Sequence, residues 1–300
     1  MEAALRRFLD DSSFACTGGI VTDLDGTAVH ELEGRIVIPQ PVEFGLKRLW
    51  DLGRPIVLNS LRFPLSVIRT FGQEWYNITN APIPTISLNG SLIGFVTQSS
   101  QGELEYDEIE AFPLTPTEID EIMDGIHGLI DGGVRDLVFF YYPRNWRAGE
   151  IIWTPVAEKI PHLMEKYSSA ASVISIDPAA LRARLLAEDI CMIFLLIEVE
   201  EDKLMAYQHS KRSNFLTHKG GDKLHRTARI AAALDFDPAH SVGAGDTQMD
   251  TFLQGMGLAL HVGPMELEFK GRLQTLKIRD SLELGALLFR LAQLLDGTLP

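Results

Sequence analysis

Ile20-Val21-Thr22-Asp23-Leu24-Asp25-Gly26-Thr27 puts two carboxylates one residue apart, where an apolar strand runs into a glycine turn. Carboxylates this close repel, so both stay ionised only if a cation or strong donors sit between them. The pattern points toward a metal-dependent phosphoryl-transfer site. A solvated strand-to-loop turn uses the same residues, because Asp and Gly are ordinary turn formers. The stretch therefore needs partners elsewhere in the chain. An EF-hand does not fit: counting from Asp23, the glycine falls at the fourth place rather than the sixth, and the twelfth is Gly34.

Working outward, the first ninety residues alternate strand and helix patterns. Gly19–Thr22, Pro55–Asn59 and Pro84–Leu88 read as short apolar strands, and Val42–Leu52 and the stretch from Pro64 to Phe71 as helices. Asn89-Gly90 is a hairpin turn signal. From Gly220 the alternation returns, with helices over Asp222–Leu234, Met249–Gln254 and Leu282–Leu295 and strands at Ser241–Gly243, Gly257–Val262 and Thr275–Ile278. Such alternation implies a parallel sheet covered by helices. The middle differs. Thr115-Pro116-Thr117-Glu118 is a capping box opening a helix that runs to Gly132-Gly133. An aromatic strand follows at Asp136–Tyr142, a helix starts at Asp177-Pro178, and 190–199, 203–208 and 213–217 read as consecutive antiparallel strands. The expected architecture is an α/β Rossmann-like parallel sheet core, 1–89 with 213–300, interrupted by an α+β domain over 90–212.

With 300 residues, 46% of them apolar, the chain can bury a sizeable core. Its net charge of −14 is spread along the sequence and argues against a nucleic-acid surface, which needs a basic stripe. Cys16 and Cys191 have no metal-ligand spacing and read as ordinary thiols of a reducing compartment. The N-terminus lacks the order of a signal peptide, and the longest apolar run, Ile190–Ile197, is far short of the ~20 residues that span a bilayer. A cytoplasmic protein with no membrane partner is expected.

Asp23 and Asp25 fall at the carboxyl end of a strand, where open α/β sheets place their ligand sites. An Asp carboxylate can attack a phosphoryl group, and a second can protonate the leaving oxygen and then deprotonate water. Gly245-Asp246-Thr247-Gln248-Met249-Asp250 supplies another acidic pair at a strand's end. With Asp23, these give the oxygen ligands Mg²⁺ prefers; equally, Asp246 could cap the following helix with Asp250 solvated. The run is no Walker loop, because the Gly-Lys-Ser/Thr ending is missing. Ser60, after the second strand, could donate to a phosphoryl oxygen or cap a helix. Lys223, near a helix start, could neutralise phosphoryl charge or face solvent.

Taken in order, Asp-Leu-Asp-Gly-Thr, Ser60-Leu61-Arg62, Lys223 and Gly-Asp-x-x-x-Asp resemble the four motifs of the haloacid dehalogenase (HAD) superfamily. The interval from Ser60 to Lys223 spans 163 positions. In the family, an interval of that size holds a large cap, as in the Cof-type, sucrose-phosphatase, trehalose-phosphatase and phosphomannomutase branches. Ile86-Ser87-Leu88-Asn89-Gly90 looks like the way into such a cap and Phe215–Lys223 like the way out. The resemblance implies Asp23 as nucleophile and Asp25 as general acid/base, with Ser60, Lys223 and Arg62 on the phosphoryl group. It implies Mg²⁺ held by Asp23, the backbone carbonyl of Asp25, and Asp246, with Asp250 as ligand or support. The chain departs from the pattern where motif two usually reads Thr-Gly-Arg, where Leu224 follows Lys223 and at His261-Val262-Gly263-Pro264. Lys219 is a second candidate for the motif-three lysine.

The resemblance implies an Mg²⁺-dependent phosphatase of a small phosphorylated metabolite, with a sugar phosphate foremost. A phosphomutase shares the nucleophile, and an inactive binding module shares the fold. Tyr141–Arg147 and the basic patch Gln208–Arg212 are candidate substrate contacts; Phe139 and Tyr141 could equally be core.

Overall fold

The computed structural model describes residues 1–198 and 211–298. The strand expected over 203–208 and the start of the basic patch at Gln208 lie outside them. The chain divides into two compact units, Met1–Glu110 with Gly220–Pro300, and Ala111–Lys219.

The chain opens with α1 (Glu2–Asp11) and α2 (Phe14–Thr17), two helices beyond those expected from the sequence. Leu5 and Phe8, three apart on α1, are fully buried and explain why this segment docks. β1 (Ile20–Thr22) carries the acidic motif at its end. A small hairpin follows, β2 (His30–Leu32) and β3 (Arg35–Val37), turned by Glu33 and Gly34 at positive φ. α3 (Gln40–Asp51) buries Val42, Leu46 and Leu49, a helical stripe. β4 (Ile56–Asn59) leads to α4 (Pro64–Val67) and α5 (Gln73–Thr79), joined through a π-helical turn over Ile68–Gly72. β5 (Ile83–Ser87) turns through Leu88, Asn89 and Gly90 into β6 (Leu92–Gln98), its antiparallel partner, and β7 (Leu104–Ala111) pairs with β6. Residues 90–110, grouped with the insertion on sequence, thus extend the sheet of the first unit. Strand pairing across a tight turn decides their membership, and local composition does not report it.

The second unit begins with α6 (Pro116–Asp131) behind its capping box, as expected. β8 (Leu137–Pro143), β9 (Ile151–Trp153), α7 (Ile160–Lys166), β10 (Ser172–Ile174), α8 (Pro178–Ala187), β11 (Ile190–Glu198) and β12 (Lys211–Thr217) complete it. The five strands run in the order β10-β9-β8-β11-β12. Alternation along β8 sends Leu137, Phe139 and Tyr141 into one core with Met123 and Ile126 of α6 and Leu181 and Leu185 of α8. On the other face Phe140, Phe194 and Phe215 stand opposite one another on three adjacent strands, with ring centroids 5.1 and 4.5 Å apart.

After the insertion come α9 (Lys223–Leu234), β13 (Val242–Gly245), β14 (Leu258–Val262), β15 (Gln274–Ile278) and α10 (Ser281–Leu295). The expected helix over Met249–Gln254 is a 3₁₀ turn at Thr251–Gly255. The reason is local: the Asp250 carboxylate reaches back to the amides of Asp246 and Thr247, closing a tight loop in place of a helical turn. The sheet of the first unit has eight strands in the order β15-β14-β13-β1-β4-β5-β6-β7, parallel from β15 to β5. Its central strands are wholly buried, which is why they read as unbroken apolar runs. Among the described residues no helix is long and apolar enough to cross a membrane.

Candidate active site

β1 pairs in parallel with β13 on one side and β4 on the other, so three strand ends open at the same edge. Asp23 follows β1, Ser60 follows β4 and Asp246 follows β13. The Asp23 amide donates to Ala244 O at 2.9 Å, which fixes the two acidic motifs side by side. Gly26, at φ +70°, passes so close to Asp246 that a Cβ there would overlap its carboxylate. Thr27, fully buried, directs its hydroxyl at Asp246 Oδ1 from 3.4 Å.

Lys223 is the first residue of α9, whose N-cap Asp222 accepts from the His225 amide. Its ammonium is buried and bonds Asp23 Oδ1 at 2.7 Å and Asp250 Oδ1 at 2.6 Å. Lys223, and not Lys219, is therefore the lysine that meets Asp23; the Lys219 amide bonds Glu118 within the second unit. Asp250 is fully buried rather than solvated, and its other oxygen takes the amides of Asp246 and Thr247 at 2.9 and 3.0 Å. Asp23, Asp246 and Asp250 offer oxygens that all lie within 4.8 Å of one another.

The electrostatics follow from this crowding. Burial is the main push on Asp23, and although Lys223 pulls the other way, the charges of Asp250 and Asp246 help raise its pKa to about 7. Burial, then the Asp250 charge, raises Asp246 to about 6. Burial alone would drive Lys223 down, but its two carboxylate partners hold it well above the usual lysine value, so it stays an ammonium. When all three carboxylates are ionised, the single ammonium leaves the cluster two charges negative. That surplus, on hard oxygen donors, suits a divalent cation such as Mg²⁺.

Asp25 is set apart: its carboxylate is about half exposed and receives a fork from Arg62, Nε to Oδ2 at 2.7 Å and Nη2 to Oδ1 at 2.5 Å. Arg62 Nη1 also donates to Ser66 at 2.8 Å. Ser60 is fully buried and its hydroxyl accepts from the Arg62 amide. The backbone around them is tied down from the turn after β5: Leu88 N donates to Arg62 O and Asn89 N to Ser60 O. Leu88, Asn89 and Gly90 all have positive φ, and Leu88 is a bulky residue held there at φ 51°. Gly90 is required, since a Cβ would meet the Asp222 carbonyl at 2.8 Å. Motifs one and two thus meet through Asp25 and Arg62, a pairing that no spacing in the sequence announced. Asn59 and Thr227 were also missed. Asn59 Nδ2 donates to Thr227 Oγ1 at 2.9 Å and to Lys223 O at 3.2 Å, and Thr227 Oγ1 donates to Lys223 O at 2.7 Å. The available signal was a polar residue closing an apolar strand.

In the second unit, Phe139 and Tyr141 are core. Arg144 pairs with Asp189, and Arg147 lies over the Trp146 ring. Tyr142 donates to the buried carboxylate of Glu150 at 2.5 Å.

No family model matches the sequence, and no curated protein matches it. Solved structures do resemble it. One is a phosphatase of the HAD enzyme superfamily from Bacteroides thetaiotaomicron, 13% identical, TM-score 0.63, covering 93% of this chain and 96% of that one. Another is a Thermotoga maritima protein, 14% identical, TM-score 0.62, covering 91% and 97%. A third is a HAD subclass IIB sugar phosphatase, 13% identical, TM-score 0.60, covering 94% and 100%. The chain shares its fold with solved HAD-superfamily phosphatases: an α/β core with an inserted α+β unit.

Proposed function

We propose that the chain is a divalent-metal-dependent phosphatase of a small phosphorylated metabolite, acting through an aspartyl-phosphate. The observation that carries this reading is the buried Lys223 ammonium held between Asp23 and Asp250 at the strand edge. A buried triad of this kind is costly to assemble and has little structural purpose unless its charges are used.

Asp23 attacks phosphorus while the bond to the leaving oxygen breaks, and Asp25 supplies that oxygen's proton. Asp25 then takes a proton from water, whose oxygen attacks phosphorus, and Asp23 and phosphate are released. Ser60 and Lys223 hold the phosphoryl oxygens, and Arg62 fixes the orientation of the Asp25 carboxylate. Asp23, Asp246 and the backbone carbonyl of Asp25 would hold Mg²⁺, which neutralises charge on the phosphoryl group when bound. Both oxygens of Asp250 are already engaged, so it orients Lys223 and the Asp246 loop. Sugar phosphates are the first substrates to test, because one of the solved neighbours is described as a sugar phosphatase. A screen of phosphorylated metabolites with and without Mg²⁺ should release free phosphate only with the metal. Isomerised hexose phosphate without free phosphate would make the protein a mutase, and no turnover of any ester would make it a binding module.

A further inference from the structure

Lys223 reaches Asp23 and Asp250 on a flexible four-carbon stem, so where its ammonium sits depends on where the first turn of α9 is held. Asp222 caps that turn, but an N-cap bond is internal to the helix and does not fix the helix against the sheet. Asn59 does. It is the last residue of β4, fully buried, and its amide bridges from the strand to the Lys223 carbonyl and to Thr227 Oγ1, one helical turn further on. Thr227, also buried, closes the triangle by donating to the same carbonyl. Both acceptors require the amide nitrogen on this side, which leaves Asn59 Oδ1 buried without a partner among the described residues. An unpaired buried acceptor costs stability. An apolar residue of the same size would avoid that cost but could not donate to the helix.

We propose that Asn59, acting with Thr227, is a positioning residue that sets the axial placement of α9 and so the seat of the Lys223 ammonium. The proposal rests on the phosphoryl-transfer reading for its catalytic consequence, while the positioning itself can be read without turnover. Asn59→Leu and Thr227→Val remove the donors at nearly constant volume, and Thr227→Ser restores the hydroxyl. Because small misplacements of catalytic groups are costly, each of the first two should lower kcat about 10- to 100-fold on a generic phosphate ester, with a smaller change in KM. Thr227→Ser should stay near wild type. The double variant should be no worse than the poorer single one, since both act on one device. The melting temperature of Asn59→Leu should hold or rise.

A second arm measures acylation of Lys223 by mass spectrometry in the intact protein. The buried amine of the wild type should react slowly, and that of Asn59→Leu several-fold faster. Unchanged kcat with unchanged Lys223 labelling in Asn59→Leu overturns the proposal, as does a Thr227→Ser variant no better than Thr227→Val. Loss of activity only in proportion to loss of melting temperature also overturns it. If the wild type hydrolyses nothing, the phosphatase reading fails, and the labelling arm still decides whether Asn59 seats Lys223.

Discussion

Buried among like charges, Asp23 keeps its ionised form only with help, and its neighbours set how much. Asp23→Asn keeps the shape and removes the proposed nucleophile. Turnover of a generic phosphate ester should fall by at least about 10³-fold with the circular-dichroism spectrum unchanged. Full residual activity would remove Asp23 from the chemistry. The same crowding makes cation binding pH-dependent. With Asp23 raised to about 7 and Asp246 to about 6, the metal-free cluster takes up protons as the pH falls through that range. A divalent cation must displace them. Mg²⁺ affinity should therefore weaken from pH 7 toward pH 5, with protons released on binding. Calorimetry in two buffers of different ionisation enthalpy reads that release, and equal heats in both would contradict it. In the metal-free protein the sign is fixed too. A carboxyl raised on folding contributes most stability below its unfolded value near 3.8 and loses that contribution as pH rises through about 7.

At the scale of elements, the capping box of α6 does more than start a helix. Glu118 accepts from the Thr115 amide and hydroxyl at 2.8 and 2.9 Å, from His218 Nδ1 at 2.9 Å and from the Lys219 amide at 2.9 Å. One carboxylate thus joins the first turn of the second unit to its last residues. Burial pushes its pKa up, but the bonds from His218, Lys219 and Thr115 outweigh it and bring the value down to about 2. A carboxyl depressed on folding gives stability that is present above its unfolded value near 4.5 and is lost as pH falls through about 2. Glu118→Gln should cost about 1–2 kcal/mol at neutral pH, the scale of a lost cap. The difference from wild type should shrink between pH 4.5 and 2 in acid-unfolding curves. A constant difference across that range would mean the charge is irrelevant. Elements of this kind were legible in the sequence because caps and helical stripes are local patterns. The 3₁₀ turn at Thr251–Gly255 was not, since the Asp250 bonds to the Asp246 and Thr247 amides that set it replace the helix its residue pattern suggests.

For the whole molecule, two units with separate cores predict heat unfolding that departs from a single two-state transition. All the proposed acidic ligands lie in the first unit, so a cation should raise only that unit's transition. The gain is about 2.7 kcal/mol at a hundredfold excess over Kd. Scanning calorimetry with and without Mg²⁺ checks this, and an equal shift of both transitions would argue against the site.

The alternation of strands and helices, the capping box and the four motifs that name the acidic and basic residues are all legible in the amino-acid order. They are so because apolar runs, turn residues and caps are written within a few positions of one another. Folding, and not residue order, shows that residues 90–110 join the core sheet, that Asp250 is fully buried with both oxygens in use, that Arg62 forks onto Asp25 and that Asn59 bonds the first turn of α9. The last two contacts join residues 37 and 164 positions apart, and their partners are chosen by strand pairing and by the need to satisfy buried polar groups. No local pattern encodes the choice of partners so far apart. The Asp23–Asp25 pair therefore announced a chemistry, and the packing around it made the two carboxylates different, one sealed against an ammonium and the other half exposed under an arginine fork.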